Sequence, residues 1–270
     1  MKKTAILTAL VLILVIGSPL AAIAGSDAPV ATRIIESGKL RVGMTGTQPP
    51  YTVVSKTGEV IGYEVDIATL LADAMQVDLE IVQKPFAELL PALKKGEVDV
   101  VMSGMTMTPR RNLQVAFVGP YQVSGKSILT KSKTIAAIVD AEELDQSKAR
   151  IVALKDSTSQ DFVKKVWPDA QYTAVDDYEA GVAMVIADEA DALVADYPIC
   201  ALSILRHPDA DLVTLDRPLT LEPIGIAIPP GDTVFLNMVE NSLGTLELIG
   251  VLEILEEQWF DNGAWLVALP

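Results

Sequence analysis

The sequence predicts an α/β protein built as two similar, Rossmann-like lobes joined by two extended crossings. Three observations carry that expectation. From Leu40 onward, short apolar strands alternate with helical patterns, the signature of mainly parallel sheets covered by helices. The plan of the first half returns in the second. Between the halves, 121–129 and 219–228 are extended, apolar and bounded by Gly or Pro, as two antiparallel crossings of a hinge would be.

In order along the chain, 40–44 reads as a strand and GTQPPY at 46–51 as a loop. The spacing of Ile67, Leu70, Leu71, Ala74 and Met75 predicts a helix over 66–75, with Asp66 placed to cap it. A strand follows at 79–82. A helix at 86–95 carries Phe86, Leu89, Leu90 and Leu93 on one stripe, ends in Lys94-Lys95 and stops at Gly96. The next strand is 98–102. In the second half 151–154 is a strand, KDSTSQ at 155–160 is a loop opening a helix, 179–187 is a helix and 192–194 a strand. Aligning GEVDVVMSG with DEADALVAD matches Asp99 to Asp191 and Gly104 to Asp196. Aligning KLRVGMTGT with ARIVALKDS sets Thr45 beside Lys155. From Phe235 on, Leu236, Met238, Val239, Leu243, Leu246 and Leu248 read as helices returning to the first lobe. The expected division is 33–124 plus 224–270 for the first lobe and 125–223 for the second.

The N-terminus has the pattern of an export signal. Met1-Lys2-Lys3 is positive, 4–17 is apolar, and Ala22-Ile23-Ala24 is a small-x-small cleavage site, so residues 1–24 are expected to be removed. The apolar run is shorter than the ~20 residues a membrane-spanning helix needs. With no Cys at the cleavage point, no lipid anchor is expected, and the mature chain should be free, periplasmic or extracellular. Cleavage takes the formal net charge from −15 to −17, because Lys2 and Lys3 leave and no acid does. Such a surface disfavours nucleic acid and anionic lipid. The lone Cys200 cannot form an internal disulfide, and the single His207, in Arg-His-Pro-Asp, reads as a surface turn. A His-dependent triad or a multi-His metal site is therefore not expected. Glu142-Glu143-Asp145 and Asp176-Asp177 read as solvated helix ends; no metal and no cofactor are expected.

The run VDVVMSGMTMTPRRNLQVAFVGPY at 98–121 is the most informative stretch. An apolar strand ends in Ser103-Gly104, small enough to let a ligand reach the backbone. Arg110-Arg111 follows, and an arginine presents a planar, permanently charged fork suited to a carboxylate. The same run also reads as a strand, a turn and a solvated arginine. Open α/β sheets bind ligands beyond the carboxyl ends of their strands. Two facing lobes would bring Thr45, Ser103-Gly104, Lys155 and Asp196 to one cleft. Asp196, before Tyr-Pro, also reads as a helix cap, and Phe86 as ordinary core.

These motifs together resemble the polar-amino-acid branch of the extracellular solute-binding proteins that feed ABC importers. GYEVDIATLLADAM at 62–75, SGMTMTPRRNLQVAFVGPY at 103–121 and ADALVADYP at 190–198 carry the resemblance, which spans 39–260. It implies the two-lobed type II periplasmic-binding-protein fold, with an amino acid or similar small zwitterion captured by lobe closure and handed to a membrane permease by a monomeric receptor. Carried over, Arg111 takes the ligand carboxylate and Asp196 the α-ammonium, helped by the carbonyl of Ser103 or Gly104 and the hydroxyl of Thr106. Thr158 and Ser159 offer backbone donors at a helix start. Phe86 lies against the ligand side chain, and Thr45, Gln48, Tyr51 and Lys155 line the remainder, which suits a polar neutral or acidic side chain. Glu64 and Asp66 are assigned to structure. Where the family usually has Gly before the Thr of the second-lobe loop, this chain has Ser157, and Arg110 stands where an acid is common. Relatives that are periplasmic cyclohexadienyl dehydratases place a catalytic acid three residues after the position of Asp196. Here that residue is Ile199, so a receptor rather than an enzyme is expected. Presentation of the closed lobes to a membrane sensor is the other alternative.

Overall fold

A computed structural model describes residues 28–138, 141, 144, 145 and 148–269. The expected leader at 1–24, with Glu142 and Glu143, lies outside the described residues.

Chain order begins with α1 (Pro29–Ser37) and β1 (Lys39–Met44), then β2 (Thr47–Gln48), β3 (Thr52–Val54) and β4 (Val60–Ile61). Next come α2 (Tyr63–Met75), β5 (Asp78–Gln83), α3 (Phe86–Lys95), β6 (Val100–Val101), α4 (Pro109–Asn112) and β7 (Ala116–Ser124). The second half runs β8 (Lys126–Thr130), α5 (Lys133–Ala136), β9 (Arg150–Leu154), α6 (Thr158–Val166), β10 (Gln171–Val175), α7 (Tyr178–Ile186), β11 (Ala192–Asp196) and α8 (Tyr197–Arg206). After it β12 (Glu222–Ile228), α9 (Thr233–Leu248) and α10 (Val251–Glu256) close the chain, with short turns at Glu257–Asp261 and Gly263–Ala268.

The strands form two large sheets, β5-β1-β6-β12-β7 and β10-β9-β11-β8. In the first, β1 is parallel to β5 and β6, while β12 is antiparallel to β6 and β7. In the second, β9 is parallel to β10 and β11, and β8 is antiparallel to β11. This is the two-lobed type II arrangement. The chain leaves the first sheet as β7 and enters the second as β8, with Gly125 between them. There a Cβ would stand 2.1 Å from the Thr220 carbonyl oxygen, so only glycine fits the crossing. β12 returns beside β7 with Glu222 opposite Ser124, which gives the expected antiparallel pair of crossings.

The same ion pair fixes the register of both sheets. Arg41 donates to Asp99 Oδ2 from its backbone N (2.8 Å) and Nε (3.2 Å), and to Oδ1 from Nη2 (2.7 Å). Arg150 repeats this on Asp191, from N at 2.9 Å, Nε at 3.2 Å and Nη2 at 2.6 Å. Asp99 and Asp191 correspond, as expected, and so do Gly104 and Asp196. Arg41 corresponds to Arg150, however, so Thr45 matches Leu154 and not Lys155: the sequence alignment of the first strands is one residue out.

The core of the first lobe draws on both ends of the chain, with Ile34, Val42, Ile67, Leu71, Ile226, Phe235 and Val239 in one cluster. Each such side chain contributes roughly 1.5–3 kcal/mol on burial. Asp232 joins the ends: its carboxylate caps α9 through Phe235 N (2.8 Å) and also accepts from Val30 N and Ala31 N of α1 (2.8 and 3.1 Å). The apolar stretch Ala264 to Leu269 at the C-terminal end of the described residues is docked on this lobe, with Lys56 N donating to the Ala268 carbonyl at 2.8 Å and Trp265 packed on Trp259 at 5.1 Å.

Two local expectations are corrected. GTQPPY is not merely a loop, since it contains β2, paired antiparallel with β3 in a separate three-stranded sheet. Asp66 is not a cap, because α2 begins earlier, at Tyr63, and the Pro50 and Tyr51 carbonyls already accept from Tyr63 N (3.0 Å) and Glu64 N (3.1 Å). Asp66 instead accepts from Trp259 Nε1 at 2.7 Å and Gln258 Nε2 at 3.2 Å.

Candidate functional site

Thr106 of the first lobe and Thr158 of the second bring their hydroxyl oxygens to 3.3 Å, and Arg110 meets Asp161 at 3.5 Å across the same gap. One apolar cluster runs through both lobes, joining Phe86 and Met105 to Leu154, Tyr178 and Ile199. The lobes are therefore in contact. Between them lies a cleft of about 500 Å³, lined by Phe86, Thr108 and Arg111 on one side and Asp156, Thr158 and Asp161 on the other.

Arg111 is placed by the local sequence. Thr108 caps α4 by accepting from Arg111 N at 3.2 Å, and Pro109, which needs no donor there, starts the helix. The guanidinium is buried, donates from Nη1 to the Thr106 carbonyl at 2.9 Å and lies over the Phe86 ring at 5.5 Å. Among the described residues, the remaining donors of the fork are not bonded to protein. Burial weakens its hold on its proton, while Asp161, Glu222 and Asp196 oppose that shift.

The turn at Ser103-Gly104 is held from below. Gly104 adopts φ +57°, and its N–H donates to Glu64 Oε1 at 2.8 Å. That same oxygen accepts from the Tyr121 hydroxyl. Burial raises the Glu64 carboxyl from 4.5 to about 7, against those two bonds. Glu64 thus has the structural role expected of it. Beside it Ser103, Thr45 and Gln48 form one hydroxyl–amide knot: Ser103 and Thr45 both donate to Gln48 Oε1, and Thr45 N donates to Ser103 Oγ at 3.1 Å. Tyr51 is fully buried, with its hydroxyl donating to Gln122 Oε1 at 3.0 Å.

On the second lobe, α6 opens as expected with Thr158 and Ser159 in its first turn. Ser157 caps it by accepting from Gln160 N at 3.2 Å. The left-handed residue of this loop is Asp156, at φ +56°, and not Ser157. The Lys155 side chain is exposed and, like Thr45, Gln48, Tyr51, Ser103 and Asp196, is not among the residues lining this cleft.

Asp196 stands at the N-cap position of α8 but makes no capping bond with its side chain. Its carboxylate receives Lys126 Nζ at 2.6 Å, and Glu222 Oε2 lies 3.7 Å from the same ammonium. The charge of Asp196 raises the buried phenols of Tyr51 and Tyr178, after burial itself, and helps lift the Cys200 thiol to about 12. The charge of Asp196 is thus felt by a first-lobe ring, a second-lobe ring and Arg111. Lys126, Glu222 and Tyr178 belong to this cluster and were not anticipated from the sequence. The signal for Lys126 was a lone cation inside an apolar crossing. Among the described residues no group of three or more His, Cys, Asp or Glu could hold a metal ion.

A family model, that of the bacterial extracellular solute-binding proteins, family 3, matches residues 40–262. The chain belongs to that family. It is 24% identical over 226 residues to the ABC transporter arginine-binding protein 1 of Escherichia coli, covering 82% of this chain and 90% of that one. It is 26% identical over 229 residues to the cyclohexadienyl dehydratase of Pseudomonas aeruginosa, covering 85% of each. Among solved structures, an ancestral amino acid-binding protein described as a precursor of cyclohexadienyl dehydratase superposes with a TM-score of 0.78. It is 33% identical and covers 85% of this chain and 99% of that chain. The family scaffold thus supports both capture and catalysis.

Proposed function

We propose that this protein is an extracytoplasmic receptor that captures an amino acid, or a small acid of the same size, between its lobes and delivers it to the permease of an ABC importer. The observation that carries this reading is Arg111, a buried guanidinium at the cleft with most of its fork unspent. Removing a carboxylate from water demands a charged partner, and a bidentate arginine supplies both charge and geometry. Thr158 and Ser159 add backbone donors at the α6 N-terminus, Phe86 forms an apolar wall, and the Thr45, Gln48, Ser103 and Tyr51 group shapes the far side. Gly104 and Thr106 contribute backbone polarity, and the ligand's second polar group meets the cluster around Asp196.

In this reading residues 33–124 and 224–270 form one rigid body and 125–223 the other, hinged at the β7–β8 and β12 crossings. Ligand contacts on both bodies make binding and closure one event. The receptor is exported, cleaved after Ala24, free of a lipid anchor and monomeric. Catalysis is not part of the proposal. The position three residues after Asp196 is the buried Ile199, which cannot donate a proton.

The test is a melting-point screen of the mature protein against the common amino acids and matched 2-oxo and 2-hydroxy acids. Ligand at 100 times Kd stabilises by about 2.7 kcal/mol, and Arg111→Ala should abolish the shift. Absence of any shift, or turnover of prephenate, would contradict the proposal.

A further inference from the structure

Lys126 and Asp196 are directly opposite residues of the antiparallel strands β8 and β11, so their side chains leave the same face of the second sheet. The ammonium lies 2.6 Å from Asp196 Oδ1, and the two side chains are 1% and 3% exposed. The backbone of Lys126 is fixed on both sides, its N donating to Thr220 Oγ1 at 2.9 Å and its carbonyl accepting from Leu219 N at 2.7 Å. Sheet register thus builds this pair into the fold. An ammonium this deeply buried needs a carboxylate beside it, and parting the two would strand both ions.

A ligand ammonium seeking Asp196 would meet a carboxylate that already holds a cation, and would lie within a few ångströms of that like charge at low dielectric. Lys126 inverts the polarity of the position. An ammonium has three donors and no acceptor; Asp196 takes one and Glu222 stands at the longer distance of 3.7 Å, so the group has capacity for a further acceptor and none for a donor. Asp196 alone would call for a donor; Asp196 with Lys126 calls for an oxygen. Arg111, under the influence of the same Asp196 and Glu222, remains for the carboxylate.

We infer that Lys126 is a specificity-determining residue standing in for the ligand's α-ammonium, so that this receptor takes small carboxylic acids with an oxygen at C2, namely 2-oxo or 2-hydroxy acids, in preference to the matching amino acids. The inference rests on the receptor reading above and narrows its ligand class.

The experiment is calorimetric titration of the mature protein with matched sets, each holding the 2-oxo, 2-hydroxy and 2-amino acid of one side chain, across the common amino-acid skeletons. In at least one set the oxo or hydroxy acid should bind at least ~tenfold tighter than the amino acid, the equivalent of about 1.4 kcal/mol. Lys126→Met should move that preference by a similar factor toward the amino acid. Should that variant fail to fold, as judged by circular dichroism, Lys126→Met with Asp196→Asn removes both ions and should level the set. If wild type binds amino acids as tightly or more tightly in every set, the inference falls while the receptor reading stands. A preference unchanged on removal of Lys126 also overturns it. Binding of no member of any set removes both readings.

Discussion

Asp99 in the first lobe and Asp191 in the second occupy the same place in the repeat, and each receives an arginine from the matching strand of its sheet, β1 or β9, through the same three bonds. Their surroundings differ. The Asp99 side chain is 1% exposed and takes a second cation, Arg33 of α1, whereas Asp191 is 35% exposed and its arginine 43%. Five residues further on, the equivalent positions diverge in chemistry as well. Gly104 offers a bare N–H to a buried carboxylic acid, and Asp196 offers a carboxylate to a buried lysine. Duplication of a strand plan therefore preserves register at the base of the strands and leaves their carboxyl ends free to diversify. The candidate recognition residues are concentrated at those ends.

The largest effect that would test this comparison is the loss of Asp99. Asp99→Ala leaves the Arg41 backbone N–H without its acceptor and two guanidinium groups without their shared carboxylate. A cost of about 3 kcal/mol is expected. It should appear as a lower urea midpoint at unchanged slope. A cost equal to that of the matching change at Asp191 would show that burial does not separate the two pairs.

A second difference is legible in pH. Glu64, beneath Gly104, has its folded-state value raised from 4.5 to about 7, so the folded protein binds a proton that the unfolded chain has already released between those limits. Stability from this group is present below 4.5 and is lost as pH rises through 7. At about 1.4 kcal/mol per unit, the difference is on the order of 3 kcal/mol. Glu64→Gln keeps an oxygen for Gly104 N and the Tyr121 hydroxyl and removes the titration. Wild type minus variant should fall steadily from pH 4.5 to 7 in denaturant titrations. A flat difference would mean that Glu64 is ionised throughout.

The sequence made the large elements readable because their signals are local. Leu89, Leu93 and the Gly96 stop define α3 without reference to anything distant, and the paired crossings are marked by their own Gly and Pro. What it obscured depends on distant partners. Asp66 has ideal cap chemistry, but α2 starts three residues earlier, where the Pro50 and Tyr51 carbonyls accept from its first donors, Tyr63 N and Glu64 N. The β2–β3–β4 sheet has strands of two or three residues, too short for any period to show. The one-residue slip at Thr45 and Lys155 arises because β1 and β9 are buried on both faces, so their apolar runs lack the alternation that sets phase. Of the predicted site residues, Arg111, Thr106, Thr158 and Phe86 are neighbours in the structure. The Lys126 partner of Asp196 was hidden because a lysine reads as solvated until the register places a carboxylate opposite it.

The smallest effect comes from the exposed member of the pair. Hydrogen bonding from Arg150 lowers the Asp191 carboxyl below its usual value, so its contribution is present above that value and is lost as pH falls through the lowered one. Both partners are partly solvated, and such pairs contribute roughly 0.2–1 kcal/mol. Asp191→Ala should therefore cost no more than about 1 kcal/mol at neutral pH, and less at high salt because solvated charges are screened. Its cost should also shrink in acid, where the wild-type carboxyl is itself protonated. A salt-independent loss as large as that at Asp99 would place the strength of the pair in strand register alone, with burial contributing nothing.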